Sequence, residues 1–171
     1  MATFEILVII ASLGALFLLQ QKDKNAWKKY LITAIGVLLF EYFTQALWLN
    51  KNLESWSYLY LDVNWVLTLG WTAIILVSSA FIDYTMEDLS DKKKYLMYVL
   101  AASIIGFFSE SLVTALGKRE YSASSQALMS GINIFGSVPL EALYYIPVFM
   151  SLVIAFKMYW ELNIKKQRSK K

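Results

Sequence analysis

Apolar and polar positions divide the chain into five long apolar runs, over residues 4–19, 30–49, 62–82, 95–116 and 132–160, separated by short polar breaks. A membrane-spanning helix needs roughly 17–25 residues at about 1.5 Å of rise per residue, so each run approaches or exceeds that length, the first being the shortest. The pattern predicts an all-α, polytopic membrane helix bundle of five transmembrane helices forming one domain over 1–171. No basic stretch precedes the first run, lysines follow it, and no small-x-small pattern ends it, so it reads as a retained helix rather than a leader.

Charge then gives the chain a direction. Lys22, Lys24, Lys28 and Lys29 follow the first run, Lys92, Lys93 and Lys94 follow the third, and the tail carries Lys165, Lys166, Arg168, Lys170 and Lys171. The other two connections hold only Lys51, Lys118 and Arg119. Short loops rich in Lys and Arg stay cytoplasmic, which places the N-terminus outside, the C-terminus inside and the protein in the plasma membrane as an integral multi-pass chain. The net charge of +3 is thereby used up in orientation, and no nucleic-acid partner is expected.

Composition narrows the chemistry. The chain is 58% hydrophobic and 17% charged, and it contains neither cysteine nor histidine. That excludes thiol nucleophiles, disulfides, imidazole bases and the usual zinc and haem ligand sets. The seven glycines form no phosphate-binding loop, so neither a metal nor a cofactor is expected. Asp83, Glu87, Asp88 and Asp91 read as a solvated inner loop balancing Lys92 to Lys94.

Shifting the chain by 69 residues aligns Lys24 with Lys93, Ile35 with Ile104, Glu41 with Glu110, Asn64 with Asn133 and Ala73 with Ala142. This predicts parallel repeats over 24–92 and 93–161. Of the outer connections, 50–61 mixes Trp56, Tyr58 and Tyr60 with polar residues as an interfacial aromatic belt does. The Ser-rich segment 120–131 reads as a solvated loop with one helical turn near Gln126.

Glu41, Glu110 and Glu141 are the carboxylates that these runs place inside the membrane, and all three are assigned to one layer in its outer half. No lysine or arginine falls inside the runs at that depth. A buried carboxylate without a counter-ion takes up a proton, shares one with a second carboxylate, or lines a wet cavity. The bland alternative is hydrogen bonding across helices to groups such as Thr44, Gln45 or Asn64. Pro139 and Pro147 flank Glu141 and predict a kinked or opened fifth helix. Asp62 reads as a helix-start residue. Trp71, Phe107, Tyr144 and Tyr145, with Asn64 and Asn133, are the candidate substrate-binding residues. Aromatic faces stabilise cationic character, so an acid beside them suits protonation of an olefin in a long lipid.

The run from Pro139 through Glu141 to Tyr144 and Tyr145 resembles the P-x-E-E-x-x-F/Y signature of the small membrane-integral lycopene cyclase domains, with Glu110 on the preceding helix. The resemblance spans helices three to five, a little over half of the chain. It implies acid-catalysed cyclisation of a carotenoid end without net redox change, with Glu141 as proton donor; beside it, the residues themselves offer Glu110 and Glu41 as stabilisers or base. The second acid of the signature is replaced by Ala142.

Three readings follow: a cyclase or isomerase acting on a carotenoid or other isoprenoid lipid, a proton- or cation-coupled carrier or channel subunit, and a non-catalytic lipid-binding subunit. Five spans are few for a free-standing carrier, so a homodimer or a membrane partner subunit accompanies the second reading. A closed apolar pocket favours the first, and a continuous polar path favours the second. The inner halves offer little polarity beyond Ser78, Ser79, Ser103 and Ser151, which favours a lipid ligand.

Overall fold

A computed structural model describes residues 2–135 and 138–168. The chain is an all-α polytopic bundle with, among the described residues, five helices long and apolar enough to span a membrane. These are α1 (Thr3–Lys22), α2 (Ala26–Thr44), α3 (Trp65–Thr85), α4 (Asp91–Ala115) and α6 (Ala142–Arg168), with a short α5 (Ala123–Leu128) in the last outer connection. Apolar runs become helices because lipid offers no partner for backbone N–H and C=O groups, and only the helix satisfies them within one segment. The side chains of Lys165, Lys166 and Arg168, and the whole of Lys170 and Lys171, lie outside the described residues.

Four of the helices form a ring. α2 and α4 each pack against both α3 and α6, and α1 lies outside the ring against α3 and α2. The core where they meet is made by Val37, Ile75, Ala102, Ile146, Met150 and Val153, all nearly inaccessible to solvent. Gly106 allows the closest approach, since a methyl group there would meet Met150 Cε at 2.6 Å and Trp71 Cζ3 at 3.0 Å. Side chains such as Phe17, Leu31, Phe81 and Phe108 point outwards, as apolar groups do on a lipid-facing surface.

The outer connections are more ordered than their polarity predicts. β1 (Trp48–Asn50) pairs with β4 (Arg119–Tyr121), β2 (Tyr58–Tyr60) with β3 (Val63–Asn64), and β5 (Asn133–Ile134) with β6 (Val138–Pro139), all antiparallel. β1 shortens the second helix, which stops at Thr44 rather than at residue 49, because Trp48 to Asn50 must extend to reach β4. Buried Glu5, at the start of α1, accepts the Glu54 N–H at 2.7 Å and ties that helix to the same cap.

Two expectations are corrected at the last helix. α6 begins at Ala142, ten residues after the start of the apolar run, because Asn133–Ile134 and Val138–Pro139 pair as the antiparallel strands β5 and β6. Pro139 therefore sits in β6, where it breaks no helix, and Pro147 alone lies inside α6. The 69-residue register also changes there: Asn64 is buried at the start of α3, whereas Asn133 is exposed in β5, well before α6.

Asp62 does not start α3 either. It lies in the β2–β3 turn and accepts the Asn50 N–H at 3.1 Å. Asn64 is the cap instead: its side-chain oxygen accepts from Val66 N–H at 3.1 Å and Leu67 N–H at 3.2 Å, and its amide donates to Ser57 Oγ at 2.6 Å. Loss of a helix cap costs about 0.5–2 kcal/mol, and buried Ser57 would lose its donor as well. Asn64→Ala should therefore lower the unfolding temperature in mild detergent, and Asn64→Asp, which keeps the capping acceptor, should recover part of the loss.

Candidate functional site

Glu41 lies in the last turn of α2 and Glu110 in the penultimate turn of α4, and both carboxylates are buried. Across the ring they face one guanidinium. Arg119, in β4, turns back into the bundle rather than out to water, and only 5% of it is exposed. Its Nη1 donates to Glu110 Oε2 at 3.1 Å, its Nε donates to Asn50 Oδ1 at 2.9 Å, and its carbon lies 5.1 Å from the Trp48 ring centre. Burial works against the charge on Arg119, but the carboxylates of Glu110 and Glu41 outweigh it and hold the guanidinium above its ordinary pKa.

The strand pair explains how an outer-loop arginine reaches this depth. In the β1–β4 register Asn50 stands opposite Arg119, Leu49 opposite Glu120 and Trp48 opposite Tyr121. Side chains alternate across a strand, so Arg119 and Tyr121 point to one face while Glu120 points to the other, where it pairs with Lys51. Asn50 and Arg119 are themselves 69 positions apart.

Hydroxyls complete the cluster. Tyr121 donates to Glu110 Oε1 at 3.1 Å and lies 2.5 Å from the Tyr145 hydroxyl. Burial, reinforced by the neighbouring Glu110 charge, raises the Tyr121 phenol well above its ordinary pKa, so it remains a donor. On the other side, Thr68 Oγ1 lies 2.5 Å from Glu41 Oε2 and 3.1 Å from the Asn64 carbonyl. Two buried polar atoms, Glu41 Oε1 and Arg119 Nη2, have no hydrogen-bond partner.

Three spaces meet at these residues. The central one, about 20 Å³, lies between Glu41, Glu110 and Arg119 and is walled by Phe40, Trp48, Trp71 and Phe149. It is large enough for one water molecule. An apolar groove of about 260 Å³ runs between α1, α3 and α4, lined by Val8, Leu67, Trp71 and Leu112, and reaches Glu110 and Arg119. On the outer side, a mixed polar pocket of about 480 Å³ has Thr114, Arg119 and Tyr121 on its wall with Gln126 and Asn133.

The structure thus brings together Glu41 and Glu110, with Trp71 and Tyr145 beside them. Glu141 does not line their cavity. It immediately precedes α6, and its carboxylate accepts the Ser130 N–H at 2.7 Å, a bond that holds it below the usual carboxylate range. Phe107 packs edge-on against Phe108 and Phe135, Tyr144 is exposed, and Asn133 lies in the β5–β6 hairpin, so none of these three touches the central cavity. Asn64 contributes through its carbonyl to Thr68 and otherwise caps α3. The counter-ion expected to be missing at this depth is Arg119. An arginine nine positions after a membrane glutamate, in an outer connection otherwise poor in cations, was the available signal.

Tyr121→Phe tests the hydroxyl link. It removes the donor to Glu110 and strands Tyr145, at a cost of about 1–3 kcal/mol for the buried groups left unpaired. A lowered midpoint in thermal unfolding in detergent, partly restored by adding Tyr145→Phe, is the expected result.

No protein-family model and no solved structure matches the chain. It is similar to the NADH-ubiquinone oxidoreductase chain 4 of Wickerhamomyces canadensis, with 28% identity in an alignment 204 positions long. That alignment covers 92% of this chain but 40% of the relative, so the chain spans well under half the length of the protein it matches.

Proposed function

We propose that the protein is an intramembrane acid catalyst that cyclises or isomerises the end of a carotenoid or other isoprenoid lipid. One observation carries this reading: two buried carboxylates share a single guanidinium in an aromatic-walled cavity beside an apolar groove, the two spaces having Trp71, Glu110 and Arg119 in common. The resemblance to the lycopene cyclase domains agrees with it, although the acid moves from Glu141 to Glu41.

Charge and hydrogen count support Glu41 as the proton donor. With both glutamates ionised the cluster carries one net negative charge, and one proton makes it neutral, which a low-dielectric site favours. Glu110 is already engaged by Arg119 and Tyr121. The Thr68 hydroxyl has one hydrogen for two acceptors. With that hydrogen on the Asn64 carbonyl, a protonated Glu41 donates to Thr68.

In the reaction, Glu41 gives its proton to a terminal alkene carbon and the resulting cation is closed by attack of an internal double bond. The Trp71 and Phe149 faces and the Glu110 carboxylate stabilise that charge. A proton then leaves the adjacent carbon to a carboxylate, so mass and redox state are unchanged. The substrate end needs the central cavity to widen into the groove, where Trp71 lies on both walls. The test is to reconstitute the purified chain in liposomes with a linear polyene. Formation of an isomer of equal mass with a ring at its end supports the reading. Recovery of unchanged polyene, with only bulk phospholipid bound to the chain, overturns it.

A second reading rests on the similarity to an oxidoreductase chain and on the buried charge of Lys157 near the inner end of α6. It makes the protein a proton-coupled membrane subunit. Between Glu41 and Lys157, however, the bundle holds Val37, Ile75, Met150 and Val153 together with the buried hydroxyls of Thr72, Ser78 and Ser79; Thr72 and Ser79 donate to carbonyls of their own helix, which leaves a proton a broken path. Proton uptake by liposomes holding the chain, driven by a membrane potential, would favour this reading over the first.

A further inference from the structure

The inner end of the bundle holds a second buried charge, and the acid-catalysis reading leaves it unused. α1, α2, α3 and α6 enclose a pocket of about 250 Å³ there, with Lys22, Lys29 and Lys157 facing Asp23 and Asp83. Lys157 is only 4% exposed, and burying an ammonium is costly unless an anion accompanies it. Its nearest carboxylate oxygen, on Glu161, stands off at 3.6 Å, and the Tyr98 ring lies 5.3 Å away.

The carboxylates around the pocket are already committed. Asp23 binds Lys29 at 2.9 Å and accepts the Asn25 N–H at 2.8 Å. Asp83 accepts the Tyr98 hydroxyl and has Lys94 at 3.7 Å. Lys22 rests over the Tyr84 ring at 4.3 Å rather than on a carboxylate. With their nearest partners counted, the four ammonium groups of Lys22, Lys29, Lys94 and Lys157 outnumber the three carboxylates of Asp23, Asp83 and Glu161 by one, which leaves positive charge over a pocket whose other walls include Leu19 and Leu76. The site lies beside the two lysine-rich connections, at the end of the bundle that the positive-inside pattern assigns to the cytoplasmic leaflet.

We infer that this pocket binds a phosphate group carried on a lipid, with Lys157 as the buried contact and Lys22 and Lys29 at its mouth. Phosphate supplies acceptor oxygens that can approach Lys157 more closely than Glu161 does at 3.6 Å, and an acyl chain suits the apolar wall.

The test uses the purified full chain, delipidated in mild detergent, with phosphatidic acid, phosphatidylcholine or inorganic phosphate added, and native mass spectrometry and thermal unfolding as readouts. Phosphatidic acid should be retained and protective, and phosphatidylcholine should not. Protection by inorganic phosphate as well identifies the phosphate group itself as the ligand; protection by phosphatidic acid alone identifies the lipid headgroup. Lys157→Met should weaken retention about tenfold, the scale of one lost charge-assisted hydrogen bond, and Lys157→Arg should keep it. If Lys157→Met fails to fold, the Lys22→Gln/Lys29→Gln double variant tests the same site from its mouth. Glu41→Gln should bind as the parent does, which separates this site from the acid cluster. Equal retention of both lipids, or unchanged retention in the lysine variants, overturns the inference.

Discussion

Arg119→Met should be among the most destabilising single changes in this protein, lowering stability by about 3–5 kcal/mol, the usual cost of removing one partner from a buried ion pair. The reason lies in what remains. Glu110 would keep the Tyr121 donor but lose its counter-ion, and Glu41 would lose the charge that both carboxylates share. Asn50 would lose the donor to its side-chain oxygen, weakening the β1–β4 pair where the two outer connections meet. Thermal unfolding in detergent measures the loss. The double variant Arg119→Met/Glu110→Gln should recover a large part of it, because both charges are then gone and the isosteric amide still accepts from Tyr121. No recovery would mean that Arg119 acts by packing on Trp48 rather than by charge.

Glu41→Gln should do the opposite, leaving stability close to the parent while abolishing turnover of a linear polyene. A positioned general acid contributes about 10²–10⁴ in rate, and an amide cannot deliver a proton to carbon. Glutamine fills the same volume, carries no charge and can still exchange a hydrogen bond with Thr68, so the fold has little reason to respond. Glu110→Gln should lose both activity and stability, since Arg119 is left without its ion partner. Glu141→Gln should keep activity, because its carboxylate serves the loop at Ser130. Isomer formation and unfolding temperature, measured on the same preparations, separate these cases. Full activity in Glu41→Gln would remove it as donor.

Glu41 and Glu110 were legible as a pair because both stand in apolar runs at the same place in the 69-residue register. Glu141 looked equivalent because it too stands in an apolar run, although the register sets it against Thr72, and Pro139 two residues before it strengthened the impression. Hydropathy cannot tell a helix from a short hairpin packed on a helix end, and residues 132–141 are apolar enough for either. The hairpin pushes the start of α6 past Glu141 and leaves that carboxylate at the bundle's outer end.

What the sequence by itself determined is the class of molecule: five helices, their approximate limits and the outer-half position of Glu41 and Glu110. These follow from run length and from the cost of an unpaired backbone in lipid, which are local properties of the chain. Only the tertiary structure decided which charges meet. Arg119 reads as a loop cation until β1 fixes β4 against it and strand alternation turns its side chain inwards, and Lys157 is buried because α1, α2 and α3 close around it. Side-chain direction in a connection, and burial at a helix end, depend on partners far away in the chain, so no local pattern encodes them.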